Sequence, residues 1–494
     1  MIDYFTLRAQ EMGCHADELV TRLVVAARRW VQWRDRMKRS GGFDPVSIRR
    51  IGLSEVRRLA WTLSLLSWHG LRMIVRKLAR SKRPVVGEEL SRAFERLGSS
   101  YVKFGQIIAS SPGLFPVDVS NEFQSLLDHV KPVPYEHIRR IITEELGAPP
   151  EELFAHFDPI PIASASIAQV HVATLAPGEE ITLKVQRPGI QEQLQRDVRI
   201  LLLLARALER VPRLRIIQPV NIVHNFATTL EQETDFLIEA RSMERFKMNL
   251  RSFGNNDGVR VPSVLHGLTR SRVLTMERIY GQSFTDIAAT ADRSLDLVDV
   301  LKRMARAWIE AAFQHGFFHG DLHAGNLMVD ADGKVVFLDF GIMGELDAEH
   351  MKILRKGLPK VFTENDFSEA ARAFYQTDIG ADPESVDRAC ADLGEMLAPI
   401  LSRPLSELRF SDIFVSMIKV GDRHGVRLPI GMILVAKVLL YIDRYLKQMA
   451  PDWAMMNDTD LIWFLMDDVD NEVLDNRALD REAPATAESL PEPI

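Results

Sequence analysis

Cysteine is almost absent from this chain. Cys14 and Cys390 stand far apart, so neither a disulfide framework nor a thiolate zinc site organises it, and a reducing, cytoplasmic setting is expected. Long apolar runs are also missing. The most hydrophobic window, Leu428 to Ile442, is shorter than a bilayer span, contains Lys437 and runs into Asp443 and Arg444, so it reads as a buried core helix. Met1 to Leu23 carries Asp3, Glu11, Asp17 and Glu18 where a secretory signal would have a basic start and an apolar run. Neither sign of charge dominates, but the net charge of -7 conceals a basic stretch from Arg22 to Arg83 and an acidic segment after Asp467.

What is present is an ordinary globular composition, 46% hydrophobic and 26% charged, in a chain long enough for two or more packed units. From Val56 to Ala79, Trp61, Leu65, Trp68, Leu71 and Val75 form a broad apolar face bordered by Arg57, Arg58, Arg72, Arg76 and Lys77. Such a helix fits either an anionic membrane surface or the flank of a folded domain. No nucleic-acid-binding module accompanies the basic charge, so nucleic acid is not expected as a partner. Helical patterning continues to Leu127, and Pro132, Pro134, Pro149 and Pro150 place a boundary near residue 150.

Strand-like runs follow at Ala168 to Leu175, Ile181 to Val185 and Val273 to Ile279, with one helical stretch from Ile222 to Phe246 inserted. After Asp299 helices dominate, interrupted by a hairpin of Leu327 to Val329 and Val335 to Leu338 around the turn Asp330-Ala331-Asp332-Gly333. The expected organisation is a basic helical region over 1–86, a helical extension over 87–149, two lobes over 150–280 and 281–450, and an acidic segment over 451–494, disordered from about 475.

The hairpin is flanked by the strongest signal in the chain. His319-Gly320-Asp321-Leu322-His323-Ala324-Gly325-Asn326 precedes it and Asp339-Phe340-Gly341 follows. Phosphoryl transfer from ATP needs a carboxylate at the attacking group, with an amide oxygen and a second carboxylate on magnesium; Asp321, Asn326 and Asp339 fit those roles in order. A competing parse groups His319, Asp321 and His323 as a metal cluster. Upstream, Lys184 on the strand Ile181-Thr182-Leu183-Lys184 is placed to pair with phosphates. Its carboxylate partner comes from Glu231, Glu233, Asp235 or Glu239, with Glu239 preferred. Ahead of that strand a glycine-rich phosphate loop is missing. Ile162-Ala163-Ser164-Ala165-Ser166-Ile167-Ala168-Gln169-Val170 takes its place, and alanine enters positive-φ conformations less cheaply than glycine, so a stiffer loop with altered nucleotide preference is expected. The hydroxyls of Ser164 and Ser166 are available there as donors to phosphate oxygens.

These residues, together with Lys103-Phe104-Gly105-Gln106 and Glu233-Thr234-Asp235, resemble the AarF/UbiB (coenzyme Q8-type) atypical kinase family over roughly Arg92 to Ile342, and less specifically through the helices to Leu446. The resemblance implies an α+β, two-lobed protein-kinase-like fold with an N-terminal helical extension covering the active site. It implies a regulatory set in which Lys103 lies near Glu233, with Gln106 and Asp235 beside them. A hinge near Met276 to Ile279 would bring Glu277 and Ile279 to the nucleotide. The family binds ATP or ADP with Mg2+, shows weak ATPase activity, and associates with membranes and coenzyme Q biosynthesis. Expected partners are therefore nucleotide, an isoprenoid quinone precursor or other membrane lipid, and quinone-biosynthesis proteins, at the inner face of the membrane. A lipid or small-molecule kinase and a nucleotide-gated, non-catalytic scaffold are the alternatives. Two departures stand out: the C-terminal membrane helices typical of bacterial quinone-pathway members are not seen, nor is the Ala-Pro-Glu motif that ends a protein kinase activation segment.

Overall fold

A computed structural model describes, with short gaps, residues 53–78, 85–109, 122–123, 131–211, 219–252, 256–290, 295–352, 371–375, 382–401, 410–426 and 430–453. The expected acidic segment lies outside the described residues beyond 453. Three helices open the described chain: α1 (Leu53–Leu78), α2 (Val85–Leu97) and α3 (Ser99–Ala109). Then come α4 (Tyr135–Leu146) and the short α5 (Pro150–Leu153). The N-lobe sheet runs β1-β3-β4-β6 with β2 added to β3: β1 (His156–Phe157), β2 (Ala163–Ser164), β3 (Ala168–Thr174), β4 (Glu180–Gln186) and β6 (Val273–Glu277). Every pairing within it is antiparallel.

The single inserted helix expected between β4 and β6 is corrected to three: α6 (Ile190–Glu209), α7 (Pro219–Glu233) and α8 (Phe236–Ser252). The apolar periodicity through residue 246 is real, but Thr234 and Asp235 interrupt it. The Thr234 carbonyl accepts from the Gln186 side chain at 2.8 Å, and the Asp235 carboxylate accepts from the Leu237 amide at 3.1 Å, so the chain turns and α8 starts with a fresh N-cap. Helix α4 lies on the back of the N-lobe sheet. Its Ile138, Ile141 and Ile142 are buried against Leu183, Val185 and Val273, and Glu145 and Glu144 bind Arg272 at 2.7 and 2.9 Å. Helix α4, between Pro134 and Pro149, thus packs as part of this lobe ahead of residue 150.

The C lobe is built on α9 (Phe284–Thr290) and α10 (Leu297–Phe313), whose Trp308 is fully buried. A four-stranded sheet, β5-β10-β9-β7, joins β5 (Val259–Arg260), β7 (Gly281–Ser283), β9 (Leu327–Asp330) and β10 (Val335–Phe337). The expected hairpin is β9–β10, and its turn places Gly333 at φ 75°, where a side chain would be strained. A two-stranded ribbon pairs β8 (Phe317–His319) with β11 (Met343–Glu345). Helices α11 (Pro383–Leu401), α12 (Phe410–His424) and α13 (Ile430–Met449) follow. The apolar window of the sequence falls in α13, where Val435, Val438 and Ile442 are core residues. Among the described residues no helix is long and apolar enough to cross a membrane.

The extension has a core of its own, shared with the inserted helices. Leu65, Phe94, Leu97 and Tyr101 pack with Leu194, Val198, Leu202, Phe226 and Leu230, and the Phe104 and Phe226 rings sit 4.8 Å apart between centroids. At its edge Arg58 of α1 forks onto the buried Asp197 of α6 at 2.8 and 3.0 Å and donates to the Leu97 carbonyl at 2.6 Å. Removing only the guanidinium strands a carboxylate away from water, whereas replacing both partners with apolar groups does not. Arg58→Met is expected to lower unfolding stability by about 3 kcal/mol, and Arg58→Met/Asp197→Leu to recover most of that in denaturant titrations. A double variant as unstable as the single one would refute this account of the contact.

Candidate active site

Lys184 is where the lobes meet. Strand β4 alternates its side chains, so Lys184 shares a face with Thr182 and, through strand register, with Val170 of β3 and Leu274 and Met276 of β6; this face looks into the cleft. Its ammonium reaches both oxygens of Glu239, at 2.8 and 2.9 Å, and Oδ1 of Asp339 at 2.9 Å. The preferred carboxylate of the four candidates is thus the one in contact. Burial alone would lower the lysine, but Asp339 and Glu239 overcome it and hold Lys184 above the usual lysine range. Burial would raise Asp339, yet Lys184, with Lys103 and His323 further off, keeps it well below the usual carboxylate range. Glu239 is 3% exposed and is pushed upward by that burial, with Lys184 opposing. Asp339 is the only described non-glycine residue at positive φ, 54°, and half of its side chain is open to the cleft. A left-handed conformation at a side-chain-bearing residue costs about 1 kcal/mol or more, and such strain gathers at functional sites.

The loop His319 to Asn326 is held by its histidines. The Asp321 amide donates to His319 Nδ1 at 3.2 Å, so Nε2 carries the proton and donates to the Leu338 carbonyl at 2.9 Å; burial keeps the ring neutral. His323 Nδ1 accepts from the Gly325 amide at 3.1 Å. His319 thus uses both ring nitrogens and His323 its Nδ1 on backbone groups. Among the described residues no three His, Cys, Asp or Glu side chains converge as a metal site, which disposes of the cluster parse of His319, Asp321 and His323. The Asn326 amide nitrogen donates to the Asp321 carbonyl at 2.9 Å, which turns its oxygen the other way. Asn326 and Asp339 thus offer two oxygens, a donor set that fits Mg2+, which takes the rest of its shell from phosphates and water.

Lys103 of α3 lies over this centre, 2.9 Å from Glu233 Oε2 at the end of α7. Burial lowers its pKa, but Glu233 first, then Asp339 and Asp321, raise it above the usual range. Gln106 is on the same helix, with its side chain outside the described residues. Asp235, expected in this regulatory set, caps α8 instead.

The alanine-rich loop is pinned from outside the cleft. Ile167 inserts into the core of the extension, and Arg187 donates to the Ala165 carbonyl at 2.8 Å, the Ser164 hydroxyl at 2.7 Å and the Lys131 carbonyl at 2.9 Å. Ser164 therefore already serves as an acceptor, and Ser166 is 3% exposed. Ile162 and Ala163 are exposed at the rim, and Ala168 is buried against Phe236 and Leu274. Gln169, expected at the nucleotide, is turned to the back of the sheet: its Oε1 accepts from the Val133 amide and its Nε2 lies 3.3 Å from His171. The odd residue in the β3 alternation faces away from Lys184. Glu277 is likewise diverted, its carboxylate held by Arg260 and, at 3.2 Å, by the Ser263 amide, while Ile279 sits half-buried in the hinge. The Glu277 backbone amide is also taken, by the Ser263 carbonyl at 2.9 Å.

One side chain at this centre had no signal in the sequence. Lys437 of α13, 6% exposed, brings its ammonium to 2.8 Å from Asp321 Oδ1. It stands 116 positions beyond Asp321 in a helix that reads as core. Burial would raise Asp321, but Lys437, then His323 and Lys103, bring it down to about 2.

The ABC1 atypical kinase-like domain model matches residues 125–373 and the UbiB helical domain model residues 393–454. An uncharacterized protein of Mycobacterium tuberculosis is 39% identical over 412 residues, 82% of this chain and 84% of that one. An uncharacterized aarF domain-containing protein kinase of Arabidopsis thaliana, chloroplastic, is 35% identical and aligns with 75% of this chain and 73% of its own. The probable protein kinase UbiB of Pseudomonas entomophila is 33% identical over 410 residues, 81% of this chain and 74% of its own. With matches spanning the lobes, the cleft and the helices behind it, the chain belongs to the ABC1 (AarF/UbiB) atypical kinase-like family.

Proposed function

We propose that this protein binds Mg-ATP, or Mg-ADP, in the interlobe cleft and hydrolyses ATP slowly at a membrane surface in support of ubiquinone biosynthesis, acting on or beside an isoprenoid quinone precursor or related lipid. The observation that carries the reading is the shared ammonium of Lys184 between Glu239 and Asp339, beside Asp321 and Asn326. Phosphate oxygens would take the place of Asp339 on Lys184, freeing that carboxylate for the metal; Glu239 keeps the lysine in position. Magnesium, when bound, neutralises phosphate charge. Asp321 would orient the attacking oxygen. The extension, through Lys103 and Glu233, covers the space where a peptide would lie, and the UbiB-named relatives support the quinone assignment.

Membrane contact would fall to α1, with the expected polarity revised. Arg58, Arg72 and Arg76 turn inward onto Asp197, Glu88 and Glu89, at 2.7 to 3.4 Å, while Trp61, Trp68, Leu71, Ile74 and Val75 are each more than half exposed. Arg57 is exposed as well, but most of the large outward side chains are apolar, so attachment would be hydrophobic before it is electrostatic. A nucleotide-gated scaffold is the second reading, favoured by the ion pairing at the centre: Lys103, Lys184 and Lys437 each already hold a carboxylate.

Asp339→Asn is expected to weaken Mg-nucleotide binding by about a hundredfold in calorimetry, the scale of losing one partner of a charged contact; unchanged affinity would count decisively against the assignment. Liposomes containing a quinone-precursor mimic should stimulate ATP hydrolysis in the natural sequence and not in Asp321→Asn. Nucleotide binding with no Asp321-dependent turnover would favour the scaffold. In flotation assays Trp61→Ser/Trp68→Ser should lose most liposome binding, about 1.5 kcal/mol or more per indole, while 0.5 M salt, a condition chosen for short Debye length, on the order of 4 Å, leaves natural-sequence binding largely intact. Binding abolished by salt would restore the electrostatic reading.

A further inference from the structure

We infer that Lys437 is a positioning residue of the active site, holding the Asp321 carboxylate in place, so that the last helix of the UbiB helical domain is part of the catalytic apparatus. The inference rests on the phosphoryl-transfer reading above and adds a residue that no motif supplies. Between Asp321 and Asn326 the loop reads Leu322-His323-Ala324-Gly325, without lysine or arginine, so no permanent cation within the loop can steady the carboxylate. Helix α13 provides one. Lys437, Tyr441 and Tyr445, spaced by four residues, lie on one stripe turned to the catalytic loop. The Tyr445 hydroxyl donates to the Leu322 carbonyl at 2.7 Å, the Lys437 ammonium is 2.8 Å from Asp321 Oδ1, and a side chain on Gly320 would meet Leu434 at 3.3 Å.

A helix that needed only to dock would do so more stably with an apolar residue at 437, since an ion pair taken out of water seldom repays its desolvation. Val435, Val438 and Ile442 already provide the apolar contact. Lys437 thus adds charge at one atom of one catalytic group. Other groups also bear on Asp321: Lys103 from α3, His323 from its own loop, His319 from β8, and Tyr441 from α13. Lys437 is the nearest permanent cation. Tyr441 stays protonated, raised by burial and by Asp321, and its ring lies 5.9 Å from the ammonium. A carboxylate paired this way through Oδ1 would keep its other oxygen for a hydrogen bond from the attacking group and aim it.

Two measurements test this. The first is the steady-state kinetics of Mg-ATP hydrolysis in the full-length chain as the natural sequence, Lys437→Met and Lys437→Arg. In Lys437→Met, kcat is expected to fall by about a hundredfold, as misplacing a reacting group does, with KM for ATP little changed. Lys437→Arg, which keeps a cation within reach of Asp321 Oδ1, should restore most of kcat. The second needs no turnover: the melting-temperature change caused by Asp321→Asn, measured once in the natural sequence and once in the Lys437→Met variant. In the natural sequence it strands an ammonium and lowers the melting temperature; in the Lys437→Met variant it removes a stranded carboxylate and raises it. Turnover independent of Asp321 in the natural sequence would fell the functional reading, and the melting cycle would still decide the pairing. An Asp321→Asn effect of the same sign and size in both backgrounds, or a kcat in Lys437→Met equal to that of the natural sequence, overturns the inference.

Discussion

The site depends on one ammonium shared by three elements. Lys184 belongs to the N-lobe sheet, Glu239 to the helix packed beneath it, and Asp339 to the loop that leaves the C-lobe hairpin. Each contact alone would be an ordinary ion pair. Together they fix the height of the cleft, because a lysine stem has one length and must satisfy carboxylates from both lobes. The core residues around them serve the same end: Ala168 is small enough for the sheet to settle on Phe236, and Phe340 anchors the Asp339 loop against Phe246. With two carboxylates on one cation, one of them is free to be exchanged for phosphate without leaving the lysine unpaired.

The positive-φ backbone of Asp339 belongs to the same balance. A conformation that is unfavourable in isolation is retained because its carboxylate then meets Lys184 and because Gly341 follows, its amide 3.4 Å from the same oxygen. Likewise the neutral His319 spends both nitrogens on backbone groups, converting a loop into a rigid mount for Asp321 and Asn326. Preorganised polarity of this kind does its work before any substrate arrives.

Much of this was legible in the residues. Asp321, Asn326 and Asp339 declare themselves by order and spacing, and Glu239 by lying a helical turn beyond a carboxylate motif. The hairpin was written in its apolar runs and its Asp-Gly turn. Orientation was harder to read. Gln169 sits in the right run of residues but on the wrong side of an alternating strand, and Glu277 sits in the hinge but is claimed by Arg260. The break between α7 and α8 was hidden because a capping aspartate and a charged motif look alike until the Leu237 amide is seen bonded to Asp235. The basic helix α1 misled differently: composition records how many arginines a helix carries, but their direction is set by Asp197, Glu88 and Glu89 on other helices. Lys437 was beyond reach for the plainest reason, that only tertiary packing joins it to Asp321.

Ile167 joins two parts that are usually thought of separately. It is a residue of the alanine-rich loop, yet its side chain belongs to the hydrophobic core made by the extension and the inserted helices. The roof over the cleft and the loop against the phosphates therefore share one seam. Loosening the extension would expose Ile167 and slacken the loop. Were the loop to close on a nucleotide as proposed, docking of the extension and nucleotide affinity would be linked equilibria, and by reciprocity anything that drew the extension away would change nucleotide affinity by the factor with which nucleotide opposed it.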